Sequence, residues 1–184
     1  MRRRSCVLLN RLAFCGLLIA IGVSSVACKR SESLKAGQTD ESSGELQSTV
    51  AMNDPNAARQ LVAGFHDIEQ NSWRWTKGRF AVALRPPEGA AQKGAVLTFK
   101  FAVPDPVINK LNAVSLSARV AGVPLSPETY TKSGEFVYSR EVEGRLLVGE
   151  SVNVEFSLDK SIPEGTFDGR ELGVIAASVG LEPR

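Results

Sequence analysis

The chain has 184 residues, 43% of them hydrophobic, 23% charged and 7% aromatic, a composition that excludes fibrous and repeat proteins and fits one or two domains. Its 22 basic and 20 acidic residues give a formal +2, but residues 1–27 hold Arg2, Arg3, Arg4 and Arg11 and no acid. Without those four the balance is 18 against 20, a formal −2, so no basic field remains to attract nucleic acid.

The first segment reads as an address. Met1–Arg4 is a basic head, Leu12–Val23 is an apolar run, and Ser24, Ser25, Val26 and Ala27 precede Cys28. A charged head, a short apolar core and a small-residue cleavage site predict an export signal over residues 1–27. Leu12–Ala27 is 16 residues, short of the roughly 20 that a permanent membrane span needs. The Arg2-Arg3-Arg4 run carries a faint twin-arginine character.

Val26-Ala27-Cys28 resembles the end of a bacterial lipoprotein lipobox, with Ser25 where that family usually has Leu. The resemblance implies cleavage before Cys28 and acylation of its sulfur and new amino group, palmitate being the usual kind of chain. Ordinary secretion with a free thiol is the alternative. Cys6 and Cys15 leave with the signal, so Cys28 is the one cysteine of the mature chain; lipidation accounts for an odd cysteine in an exported protein. Several acyl chains hold far more firmly than one. Lys29 follows the cysteine, and by analogy with lipoprotein sorting it favours the outer membrane in a cell with two membranes.

Residues 28–59 then read as the anchor cysteine and a flexible tether. The stretch is rich in Ser, Glu, Gln, Asn and Ala and has no aromatic residue, so it buries too little to offset its ordering entropy. Asp54-Pro55 offers an N-cap and a first helical residue for a turn or two of helix. Residues 60–184 carry 14 basic and 15 acidic groups and are long enough for one domain with its own core.

In that part the apolar pattern has period two. Phe80, Val82 and Leu84 alternate with Ala81 and Ala83; Leu97, Phe99, Phe101 and Val103 alternate with Thr98, Lys100 and Ala102; Val152, Val154, Phe156 and Leu158 alternate with Asn153, Glu155 and Ser157. Such alternation predicts half-buried strands, near 62–68, 72–76, 79–85, 95–103, 113–121, 135–141, 146–158 (bent or split) and 172–182, punctuated by Pro and Gly breakers. This many strands in so short a domain predict an all-β fold of two packed antiparallel sheets, jelly-roll-like, with an immunoglobulin-like order as the alternative.

Few residues carry chemistry. Trp73 and Trp75 flank Arg74, so in a strand the two indoles share one face, either as a platform for a sugar ring or as buried anchors. Arg170 and Glu171 follow an Asp168-Gly169 turn; the Arg fork can clasp a carboxylate or a diol, or pin a loop by pairing with Glu69 or Asp168. His66 is the sole histidine, which excludes the usual zinc sets, and it reads as a strand-surface residue. Asp67, Asp168 and Glu171 are possible calcium ligands without the spacing of a calcium loop. Nucleophile elbow, P-loop and zinc-protease motifs are absent, so no catalytic residue, metal or cofactor is assigned, a small hydrolase built on distant carboxylates being the alternative.

Gly64-Phe65-His66-Asp67-Ile68-Glu69, Trp73-Arg74-Trp75-Thr76, Phe156-Ser157-Leu158-Asp159-Lys160 and Asp168-Gly169-Arg170-Glu171-Leu172-Gly173-Val174-Ile175 together resemble a small β-sandwich module of bacterial exported proteins, found also beside some glycosyltransferases. The resemblance spans most of residues 62–182 and implies a non-catalytic, carbohydrate-binding-like sandwich. The expectation is therefore an exported, membrane-anchored lipoprotein whose module binds a glycan through Trp73, Trp75, Arg170 and Glu171. The alternative is a structural or assembly lipoprotein that contacts an envelope protein.

Overall fold

The computed structural model describes residues 44–184. The export signal, Cys28 and residues 29–43 of the tether lie outside the described residues. Ten strands follow in chain order: β1 (Thr49–Ala51), β2 (Leu61–Glu69), β3 (Trp73–Leu84), β4 (Ala95–Val103), β5 (Val114–Val120), β6 (Val123–Pro124), β7 (Glu128–Tyr130), β8 (Gly134–Val142), β9 (Val152–Leu158) and β10 (Ile175–Pro183). Two short helices, α1 (Ala90–Lys93) and α2 (Asp105–Leu111), fill connections on either side of β4. No helix among the described residues is long and apolar enough to cross a membrane.

The period-two runs become strands because each presents β-branched or aromatic residues to one side. In β9, Val152, Val154, Phe156 and Leu158 are buried while Asn153 and Glu155 are exposed. All pairings are antiparallel, and only β2–β3 and β5–β6 join strands consecutive in the chain. The expected all-β, jelly-roll-like sandwich is the architecture found.

β3 is where the sheet divides. β2 pairs along one edge of it, from Val82 to Trp73. The other edge is shared: β9 takes Arg79–Leu84, and β10 takes Arg74 and Trp75. Two strands on one edge must diverge, so one leaf continues as β10-β4-β8 and the other as β9-β5, with β6 and β7 on β5. Their inward faces meet: Phe99 of β4 lies 4.9 Å from Phe156 of β9 and 5.5 Å from Phe80 of β3, centroid to centroid. Phe80 stacks on Phe156 at 5.0 Å. Such ring pairs contribute about 0.5–1.5 kcal/mol beyond their area.

Three expectations are corrected. The tether ends earlier than Arg59: β1 pairs with β10, Met52 is fully buried, and Val50 and Ala57 belong to the core. These few apolar residues sit in a polar stretch that carries no periodic signal. Within it the Asp54 cap forms as expected, its side chain accepting from the Asn56 N–H at 2.8 Å ahead of a 3-10 turn over Pro55–Arg59. The segments near 72–76 and 79–85 are one 12-residue strand; Gly78 continues it rather than breaking it. The segment before Val152 is not strand: Gly144–Leu146 forms a 3-10 turn and Leu147 plugs the core.

Candidate functional site

The β2–β3 hairpin positions the tryptophans. Two of its three loop residues, Gln70 and Asn71, have positive φ, 49° and 52°, and the Ser72 N–H donates to the Glu69 carbonyl at 3.0 Å, the I′ pattern whose twist suits a tight hairpin. Beyond the loop, Trp73 pairs with Glu69 and Trp75 with Ile175 of β10. Even-numbered residues of β3 are buried; of the odd-numbered ones, Trp73 and Trp75 are half-buried and Lys77 and Arg79 exposed. Arg74 is the inward partner of the two indoles and is only 8% exposed. Among the described residues it pairs with no carboxylate; its Nε donates to the Met52 carbonyl and its Nη1 to the His66 carbonyl, both at 3.2 Å. Those bonds offset the cost of burying the charge and tie β1 and β2 to β3.

The two indoles have different surroundings. Trp75 packs on the core as a half-buried anchor. Trp73 lines an open groove of about 680 Å³ beside the β10-β4-β8 leaf, together with Val137 and Ile175 and with Phe136, which itself packs on the core. Lys100 and Glu135 border the same groove, and the register sets Ala102 opposite Glu135 and Lys100 opposite Val137. Apolar residues at outward positions of three strands are the hallmark here: Val137 is 54% exposed. The Trp73 Nε1–H is buried and has no hydrogen-bond partner among the described residues. A tryptophan kept for packing ordinarily satisfies that donor, and leaving it bare costs about 1–3 kcal/mol.

Arg170 and Glu171 have other tasks. The Arg170 Nη1 donates to Glu69 at 2.6 Å, and its Nε and Nη2 donate to the Asp168 carboxylate at 3.1 and 2.8 Å. All three guanidinium nitrogens are thus engaged, which holds Asp168 below the usual carboxylate range and Arg170 above its ordinary value. Because Glu69 is the strand partner of Trp73, the loop carrying Arg170 is pinned one strand away from the indole. Glu171 turns the other way. Its Oε1 accepts from the Ser161 hydroxyl at 2.6 Å and from the Gly78 N–H at 2.9 Å, contacts that lower its pKa against the opposing effect of burial. The close approach needs Gly78, where a Cβ would lie 2.8 Å from that oxygen. His66 is half-buried on β2, with Nε2 2.7 Å from the Glu171 carbonyl.

The structure therefore brings Trp73, Glu69, Arg170 and Asp168 into one neighbourhood. Trp75 stands outside the groove lining, and Glu171 closes the 159–173 loop. Sequence reasoning missed Lys100, Glu135, Phe136, Val137 and Ile175, which come from three strands whose pairing it did not know. For Val137, between Glu135 and Ser139, the signal was an apolar residue where alternation calls for a polar one. Among the described residues no three His, Cys, Asp or Glu side chains are grouped to hold a metal ion.

No family model matches this sequence, and no curated protein does either. Solved structures show a distant likeness. The CBM36-1 domain of a multidomain xylanase from the hindgut metagenome of Trinervitermes trinervoides is 10% identical, with a TM-score of 0.42 over 74% of this chain and 96% of that one. An acetyl xylan esterase, Est2A, from the rumen bacterium Butyrivibrio proteoclasticus is 8% identical, with a TM-score of 0.45 over 76% of this chain and 33% of the esterase. A CBM4 structure is 11% identical, with a TM-score of 0.33 over 74% of this chain and 85% of that one. At these values no residue role is carried over.

Proposed function

We propose that this chain is an exported, membrane-tethered module that binds a glycan without transforming it, in the groove lined by Trp73. One observation carries the reading: a tryptophan with an unsatisfied N–H borders an open apolar groove whose rim offers an ammonium and a carboxylate. A pyranose needs both kinds of contact, a flat apolar surface for its C–H face and charged groups for its hydroxyls. An open site of this kind buries little and binds weakly. Arg170 and Glu69 support the indole from the side rather than clasping the ligand.

The anchor belongs to the same proposal. It rests on the residues up to Cys28: acyl chains on that cysteine hold the chain at a membrane, the outer one where a cell has two. Labelling with a palmitate analogue tests it; label on the wild-type chain and none on Cys28→Ser is the expected result.

The binding test is affinity electrophoresis of the full chain through gels cast with soluble xylan, β-glucan or starch. The proposal expects retardation by one of them, lost in Trp73→Ala at unchanged folding. A second reading, capture of an envelope protein, is favoured by β8, which among the described residues pairs with β4 along one edge only and so presents backbone groups to a partner strand. A complex recovered from detergent extracts, with no retardation in any gel, selects that reading.

A further inference from the structure

The other leaf carries a second, chemically different groove, of about 470 Å³, across the outer face of β3, β9 and β5. Its floor is made of small side chains, Ala63, Ala81, Ser117 and Ser157. The exposed face of a sheet usually carries longer polar residues, so these short ones create the depression. Its rim is charged: Arg79 from β3, Arg119 from β5 and Glu155 from β9 between them. All three are exposed. Among the described residues none of the three forms an ion pair, although Glu155 is the direct strand partner of Arg119.

The spacing follows from the register. Arg79 pairs with Ser157, Ser157 with Ser117, and Arg119 lies two residues beyond Ser117. Two strand spacings and two residue rises put the arginine Cα atoms about 12 Å apart, a gap that two long side chains close over one ligand. The chain shapes this edge deliberately. β2 slips register on both sides of Ala63, and Gly64 beside it has φ +76°. A Cβ there would lie 2.0 Å from the Arg79 carbonyl oxygen. Bulges of this kind re-aim a strand and its neighbours, and here one brings the floor residue Ala63 against the strand that bears Arg79.

We infer that this groove binds an oxyanion on a hydroxyl-bearing ligand, a sugar acid or a sugar phosphate, with Arg79 and Arg119 clasping the anion and Glu155 accepting from a neighbouring hydroxyl. Arginine forks match carboxylate and phosphate oxygens in pairs and stay charged at any physiological pH. Ser117 adds little, because its hydroxyl already donates to the Ser157 carbonyl at 3.1 Å. Phe80 and Phe156 border the groove but are buried in the core, so among the described residues no exposed ring there favours a neutral sugar by stacking. This site stands apart from the Trp73 groove and does not depend on it.

Calorimetric titration of the full chain in detergent with glucuronic acid, glucose 6-phosphate, glucose and inorganic phosphate tests the assignment. Saturable binding of one anionic sugar, about tenfold tighter than glucose and weakened by added salt, is expected. Arg79→Gln and Arg119→Gln each weaken it about fivefold or more, while Trp73→Ala leaves it unchanged. Preference for glucuronic acid or for glucose 6-phosphate identifies the anion as carboxylate or phosphate. The assignment is overturned if no anionic sugar binds, if glucose or inorganic phosphate binds as tightly, or if binding persists in the double arginine variant. Thermal midpoints of the variants at the wild-type value show that the fold is retained.

Discussion

Gln60 and Gln47 bond to each other in both directions: the Gln47 N–H donates to the Gln60 Oε1 and the Gln60 Nε2 donates to the Gln47 carbonyl, each at 2.9 Å. The same Nε2 reaches the Ala83 carbonyl at 2.7 Å, so one buried amide sews the entering chain to the end of β3. The strand that follows lies along β10, and Met52 and Val50 drop into the core. Residues 44–59 are thus part of the fold. Deleting them exposes the β10 edge and removes two large core side chains. Burial of such side chains contributes about 1.5–3 kcal/mol each, so urea unfolding of a chain lacking 44–59 is expected to show a loss of about 3–6 kcal/mol, or no folded state.

The hairpin loop offers a gain. Gln70 occupies a left-handed conformation that glycine or asparagine adopts at lower cost. Replacing Gln70-Asn71 by Asn-Gly is expected to raise stability by about 0.5–1 kcal/mol, the relief of left-handed strain less glycine's entropic cost, read as an increased denaturation midpoint.

Gly64 offers the opposite test. Its positive φ and the contact of a Cβ with the Arg79 carbonyl leave no room for a side chain. Gly64→Ala is expected to cost several kcal/mol, well above the range of about 0.5–3 kcal/mol for ordinary substitutions.

Acid acts on the 159–173 loop. Glu171 is held below its ordinary value of 4.5, first by the Ser161 hydroxyl and then by the Gly78 N–H. A lowered folded-state pKa means that the unfolded chain binds the proton more readily, so stability rises with pH in this range. The contribution is fully present above the ordinary carboxylate value and is lost as pH falls through the folded value. Glu171→Gln is expected to flatten that part of the curve below about pH 5, as followed by thermal midpoints across pH. Breaking the half-exposed Arg170–Glu69 pair by Glu69→Gln is expected to change stability by about 0.2–1 kcal/mol.

The strands were legible because their residues alternate: Leu97 to Val103 and Val152 to Leu158 each repeat every second residue, and the leaves follow these runs. β1 escaped notice because three residues, Thr49–Ala51, carry no period and owe their conformation to β10. The helix over Asp105–Leu111 was hidden behind Pro104 and Pro106, which read as breakers yet suit a first helical turn. At the candidate site Trp73 and Trp75 were equivalent in sequence. What separates them is the strand order, which sets Val137 and Lys100 near one and leaves the other packed on the core. The same order commits Arg170 to Glu69, a partner 101 positions away.

The most direct test of the central claim uses the fact that the chain has two tryptophans. In Trp75→Phe, Trp73 is the sole indole, and its fluorescence is titrated with xylohexaose, cellohexaose and maltohexaose. The account predicts a saturable blue shift with one of them, and a matching loss of binding in Trp73→Ala. Emission from folded protein that stays unchanged with all three would contradict it.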